Sequence, residues 1–323
     1  MLVQPPDITK VLNRTLRWEV NKEFPPSLLR TFEANHPSWV VHLHIAPEST
    51  GVLSSPALSS LVVGFGQDHL HSDKTALSNL QSAIQSSKNL KKLHLQVDVE
   101  GCGRYNYSTD FLENGETFPP LEELVLEWFQ ITQSSGEYWL KTMDWSHLRV
   151  LDFREGSFSA PFLSLLLPVA DKLPALENIG LNLPSWTKDS VREQRDDPNS
   201  PFSLTKQLFL TARPQSLLGV RIHGYYRSLL PDILTHHATS LKSLSLHETE
   251  IANGDQRSPL SLEELEEIGT KSAGLEALAF DVNISKEHTW VSTYLGPYYT
   301  VLTSHSSSRT TSSTRWRLQS FPH

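Results

Sequence analysis

Residues 241–247 read LKSLSLH, and the spacing of Leu241, Leu244 and Leu246 decides the fold expected for the chain. Leu244 and Leu246 stand two apart, so on an extended backbone they share one face, while Ser245 and His247 point to the other. Leu241, three residues earlier, packs beneath the start of the strand. A short strand with one apolar and one polar face needs cover on its apolar side only.

The pattern apolar-x-x-apolar-x-apolar occurs nine times. Five copies come before residue 160: Val40, Leu43, Ile45; Leu58, Leu61, Val63; Leu90, Leu93, Leu95; Leu121, Leu124, Leu126; and Leu148, Leu151, Phe153. Four follow: Leu176, Ile179, Leu181; Leu217, Val220, Ile222; Leu241, Leu244, Leu246; and Leu275, Leu278, Phe280. They return at spacings of 18 to 41 residues. Apolar residues at helical spacing fill the intervals 74–87, 136–145, 160–172, 204–213, 227–238 and 262–271. An earlier strand carrying Leu16, Trp18 and Val20 and a proline-started helix over 25–35 open the series. Strand and helix in alternation predict an α/β fold. At this repeat length the pattern reads as an irregular leucine-rich-repeat solenoid, with a curved parallel sheet on the concave side and helices on the convex side. An ordinary wound parallel sheet has the same alternation and is the alternative. The expected organisation is an N-terminal extension over 1–14, the solenoid over 15–300, and a low-complexity, disordered tail over 301–323.

A chain of 323 residues that is 38% hydrophobic and 20% charged has enough apolar side chains for a sizeable core. Its net charge of -8 repels phosphate and anionic lipid, so neither nucleic acid nor a membrane is an expected partner. The first residues, MLVQPPDITK, show no signal-peptide pattern and no apolar run is long enough to span a bilayer, which points to the cytoplasm or nucleus. Cys102 is the only cysteine, so no internal disulfide or cysteine-based zinc site is expected.

The segments TLRWEVNKEFPPSLLRTFEANHPSW (15–39), FPPLEELVLEWF (118–129), WLKTMDWSHLRVLDF (139–153) and TSLKSLSLHETEI (239–251) resemble the leucine-rich-repeat portion of fungal F-box proteins. The likeness runs from residue 15 to about 300. It implies a target-recognition module of a cullin ubiquitin ligase, in which an F-box ahead of the repeats docks a Skp-type adaptor and the repeats hold the target. Residues 1–13, MLVQPPDITKVLN, do not contain an F-box pattern, so adaptor docking is expected only where an F-box is supplied elsewhere.

Residues that alternate with the buried ones form the candidate partner-binding face. Those singled out are His44, Lys92, His94, Glu123, Glu127, Asp152, Arg154, Arg221, His223, His247 and Asp281. His223, His247 and Asp281 occupy equivalent positions in three successive copies, which places neighbours roughly 5 Å apart in a regular stack. Such a trio suits a metal or a pH sensor, but solvated polar side chains on a strand face are the simpler expectation. Glu263, Glu264, Glu266 and Glu267 likewise read as a solvated helix face. Trp128, Phe129, Trp139 and Trp145 read as core or rim packing, and interface anchors are the alternative reading for Trp128, Tyr225 and Tyr226, just beyond strands. No P-loop, HExxH or GxSxG sequence occurs; Gly64, Gly66 and His69 lack the third glycine of a dinucleotide loop. No catalytic residue, cofactor or metal is assigned. The function expected is non-catalytic binding of another protein, with a stand-alone scaffold unrelated to ubiquitylation, or a truncated gene product, as the alternative.

Overall fold

The computed structural model describes residues 15–19, 25–35, 40–45, 55–66, 74–98, 107–110, 118–157, 160–183, 197–212, 216–248, 260–282, 299–305 and 314–320. The expectations for the 1–14 extension and for Cys102 lie outside these residues. The chain divides into two compact units, 1–165 and 166–323.

Unit 1 runs β1 (Thr15–Glu19), α1 (Pro26–Asn35), β2 (Val40–Ile45), β3 (Leu58–Gly66), α2 (Lys74–Ser86), β4 (Lys92–Asp98), β5 (Tyr107–Ser108), β6 (Glu123–Glu127), β7 (Phe129–Gln130), α3 (Gln133–Thr142), β8 (Val150–Phe153) and α4 (Ala160–Leu166), which crosses the unit boundary. Strands β1, β2, β3, β4, β6 and β8 pair side by side in that order, all parallel. The short β5 and β7 form a separate parallel pair.

Unit 2 begins with a 3-10 turn, Leu167–Lys172, followed by β9 (Asn178–Asn182), α5 (Pro201–Thr211), β10 (Gly219–His223), α6 (Leu230–His237), β11 (Ser243–His247), α7 (Leu262–Lys271), β12 (Ala277–Val282), β13 (Tyr299–His305) and β14 (Thr314–Ser320). β9 to β12 pair in parallel, β14 runs antiparallel beside β12, and β13 runs antiparallel beside β14.

Each of the nine sequence copies falls on a strand, and the chain is α/β with parallel sheets flanked by helices. The apolar rows are covered as their period requires: Leu61, Leu93, Leu124, Leu151, Leu244 and Leu246 are each fully buried. Burying each of these side chains contributes about 2 kcal/mol. Helices supply the other half of this layer, as Phe162 of α4 meets Phe153 of β8 edge-on with ring centroids 5.7 Å apart.

In several copies the opening residue is pinned by a tight turn leaving the preceding segment. The amides of Leu90, Leu148, Leu176 and Leu275 donate to the carbonyls of Ser87, Trp145, Leu173 and Ser272. A recurring two-to-one contact then sets the register: one carbonyl accepts the first two amides of the neighbouring strand, as Glu122 O does from Arg149 and Val150, and Leu218 O from Lys242 and Ser243.

Two expectations need correcting. Val40 does not pack beneath β2; it is 38% exposed, because β2 starts at Val40 itself and alternation turns Val41 and Leu43 inward instead. The tail is not wholly without structure: Tyr299–His305 and Thr314–Ser320 are strands, and β14 satisfies the outer backbone groups of β12 by pairing residues 314–319 with 277–282. No helix among the described residues is long and apolar enough to cross a membrane.

Candidate functional site

In unit 1 the face opposite the apolar rows carries the candidate residues. Cross-strand register places Lys92 opposite Glu123, and the two side chains close an ion pair at 2.6 Å. Lys91 and Glu122 pair one step earlier. The next row reads His44, Val62, His94, Val125, Asp152 across β2, β3, β4, β6 and β8. His44 is therefore one strand removed from His94, with Val62 between them.

The remaining candidates converge at the C-terminal ends of β4, β6 and β8. Arg154 follows β8, and its amide donates to Leu126 O at 2.8 Å, which carries the side chain alongside Glu127. The guanidinium Nε lies 3.0 Å from Asp152 Oδ2, and Nη1 lies 3.5 Å from Glu127 Oε2. His94 Nε2 approaches the same Glu127 oxygen at 3.8 Å, the separation of an ion pair rather than of a hydrogen bond. The imidazole first, and then the Arg154 guanidinium, hold the Glu127 carboxyl below the usual carboxylate range, against the opposing pull of partial burial. Arg154 thus stands between two carboxylates, with His94 on the far side of Glu127.

Beside that group stands Trp128, whose φ of 63° makes it the single non-glycine residue with positive φ among the described residues. The conformation is closed by a hydrogen bond from Trp128 N to Glu155 O. Gly156, at φ 68°, gives the indole its space, since a Cβ there would lie 2.3 Å from Trp128 Cε3. Phe129 turns inward next to it, fully buried and edge-on to Phe65 at 5.4 Å, and its amide donates to the buried Ser157 hydroxyl. The indole of Trp128 remains half-buried.

Unit 2 arranges its candidates differently. Arg221 lies in a row of small neighbours, Gly180, Ser245 and Ala279. His223 is the register neighbour of Asn182 and His247. His247 Nδ1 meets Asp281 Oδ1 at 3.1 Å, and Asp281 Oδ2 accepts the Glu248 amide at 2.8 Å. The expectation of solvated side chains is not met here: the side chains of His247 and Asp281 are only 8% and 12% exposed. Three histidine, cysteine or carboxylate groups do not converge as a metal set anywhere among the described residues.

Sequence reasoning missed the surroundings of this pair. Arg227 binds Glu264 of α7 through Nη1, and its Nε lies 3.4 Å from Glu248. Glu264 is therefore not part of a solvated face. It also accepts the Ser261 amide at 2.7 Å, completing a capping box whose Ser-x-x-Glu spacing was visible in the sequence. Tyr226 is not a surface anchor, because only 1% of it is exposed. Burial pushes its phenol well above the ordinary value; the Arg227 charge opposes this shift, and Glu248, Glu264 and Asp281 add to it. Tyr225 stays half-buried, while Trp139 and Trp145 lie in the core as their sequence context implies.

Compared with known proteins, the chain matches no family model and no curated protein sequence.

Proposed function

We propose that this chain is an irregular leucine-rich-repeat module that binds another protein without catalysing a reaction, through the strand residues that face away from the apolar rows. The reading rests on one observation above the rest. Polar and charged side chains on that face of unit 1 are held close to one another at partial burial, as in His94, Glu127, Arg154 and Asp152. Ordering costs of binding fall when polar groups are already fixed in position. The nine strand copies, most of whose apolar residues are buried, support the repeat reading, since each copy gives the face one more short strand.

The resemblance to fungal F-box receptors supplies the finer version: target recognition for ubiquitylation, with a Skp-type adaptor as partner where an F-box is provided. Affinity capture from native cytosol tests both levels. The chain is compared with an Arg154→Ala variant for unit 1 and an Arg221→Ala/His223→Ala variant for unit 2. Proteins lost from a face variant, yet retained by an exposed-helix control such as Gln133→Ala, support face binding. Adaptor and cullin subunits among them support the ligase reading. Identical captures from all four chains contradict both.

A further inference from the structure

His247 keeps one nitrogen that the fold does not satisfy. Its side chain is 8% exposed, and Nδ1 lies 3.1 Å from Asp281 Oδ1. An ionised carboxylate can only accept, so Nδ1 carries the shared proton and, in the neutral ring, the lone pair is on Nε2. Asp281 is held in place from behind, because its Oδ2 accepts the Glu248 amide at 2.8 Å. Nε2 itself is buried and has no hydrogen-bond partner among the described residues. A polar atom enclosed in this way is costly unless a further group uses it.

The direction of that lone pair follows from the ring. β11 lies between β10 and β12, and Nδ1 is taken up on the β12 side, so Nε2, across the imidazole, is turned toward the β10 side. His223 is the in-register neighbour there, on the same face of a strand about 4.8 Å away. It is half-buried, whereas His247 is enclosed. Two nitrogens on one tetrahedral zinc-type ion stand roughly 3.3 Å apart, since each bond is about 2.05 Å long. Rings on adjacent strands can reach that separation.

We propose that His223 and His247 together bind one divalent ion of the zinc, nickel or copper class, with His247 Nε2 as a ligand and Asp281 as the carboxylate that fixes its ring. Imidazole nitrogens favour these metals, whereas calcium and magnesium take oxygen. A carboxylate on the opposite ring nitrogen orients a metal-binding histidine and raises its basicity. Two protein ligands leave the remaining positions to water or to a donor of a bound molecule. That agrees with the absence of three converging histidine, cysteine or carboxylate ligands among the described residues. The site is independent of the protein-binding reading.

Zinc titration of the chelator-treated full chain, followed by calorimetry and by the imidazole nitrogen resonances, tests the site. One equivalent is expected to bind, shifting the Nε2 signal of His247 while Nδ1 keeps its proton. His223→Gln should weaken binding at least about tenfold, and Asp281→Asn, which keeps an oxygen acceptor, by about 10- to 100-fold. Circular dichroism without metal reports whether each variant keeps its fold. Should Asp281→Asn unfold, His223→Gln and the His247 resonance of the parent decide the matter. No binding at millimolar zinc, an unmoved His247 Nε2 signal, or undiminished affinity in folded His223→Gln would each overturn the proposal. So would an equivalent that is lost instead from His69→Ala/His71→Ala, whose histidines stand two apart in the sequence.

Discussion

Unit 1 and unit 2 share the same strand rhythm, yet they treat the charged residues at the C-terminal ends of their strands in opposite ways. In unit 1, Arg154 is 43% exposed and its carboxylate partners Glu127 and Asp152 are 29% and 15% exposed, so water still reaches the network. In unit 2 the imidazole-carboxylate pair of His247 and Asp281 is almost wholly enclosed. Exposed pairs are stabilised little, because solvent screens them and long side chains lose freedom; enclosed pairs matter chiefly through the penalty of breaking them. The comparison separates a water-accessible network from a polar joint that holds neighbouring strands together.

Removing one partner of each network should break this contrast most visibly. Asp281→Ala leaves both the His247 ring and the Glu248 amide without their acceptor, so a loss of about 2–3 kcal/mol is expected in urea unfolding. A loss no larger than that of Arg154→Ala would erase the distinction between the two networks. Gly156→Ala comes next, at about 2 kcal/mol, since it forces a Cβ into the Trp128 ring and strains a backbone at φ 68°. Arg154→Ala should cost only about 0.5 kcal/mol after screening. The same denaturation series would reveal a larger value and place this network with the enclosed one.

Titration sharpens the contrast by window. Glu127 in unit 1 has its folded pKa lowered by His94 and Arg154, so the stability it contributes is present above about pH 4.5 and is lost as pH falls through the depressed value. His237 in unit 2 is fully buried. Its Nε2 meets Phe209 O at 2.9 Å, and its Nδ1 has no hydrogen-bond partner. Burial lowers its folded pKa, with the Phe209 carbonyl opposing. The unfolded chain therefore binds the proton first, and stability falls as pH drops below about 6.5 toward the folded value. Hydrogen exchange resolved by segment should show α6 loosening at mildly acid pH, before β6 and β8 do. His237→Gln should remove the earlier loss; persistence of that loss in the variant would assign it to another group.

Local spacing made much of this architecture legible. Apolar residues two apart predicted β6, β8, β10 and β11 because strand faces alternate whatever the partner. The helix over 262–271 was placed at its observed bounds by periodicity. Two helices start earlier than apolar spacing predicts because a side chain caps them. α5 begins at Pro201 behind the Ser200 cap rather than at 204, and α3 begins at Gln133 behind Thr132 rather than at 136. His44 and Arg221 were correctly put on the polar face, but face membership did not say which charges meet.

The sequence by itself determined the alternation of strands and helices across the nine copies and the face taken by the paired apolar residues of each strand, because both follow from periods of two and 3.6 residues acting over short distances. Only the tertiary structure decided that Arg154 would meet Glu127 27 residues away, and that His247 would be enclosed against Asp281 34 residues away. It also decided that Gly156 would make room for a left-handed Trp128. These outcomes depend on how separate segments pack and register against one another, and that energy is shared among residues far apart in the chain.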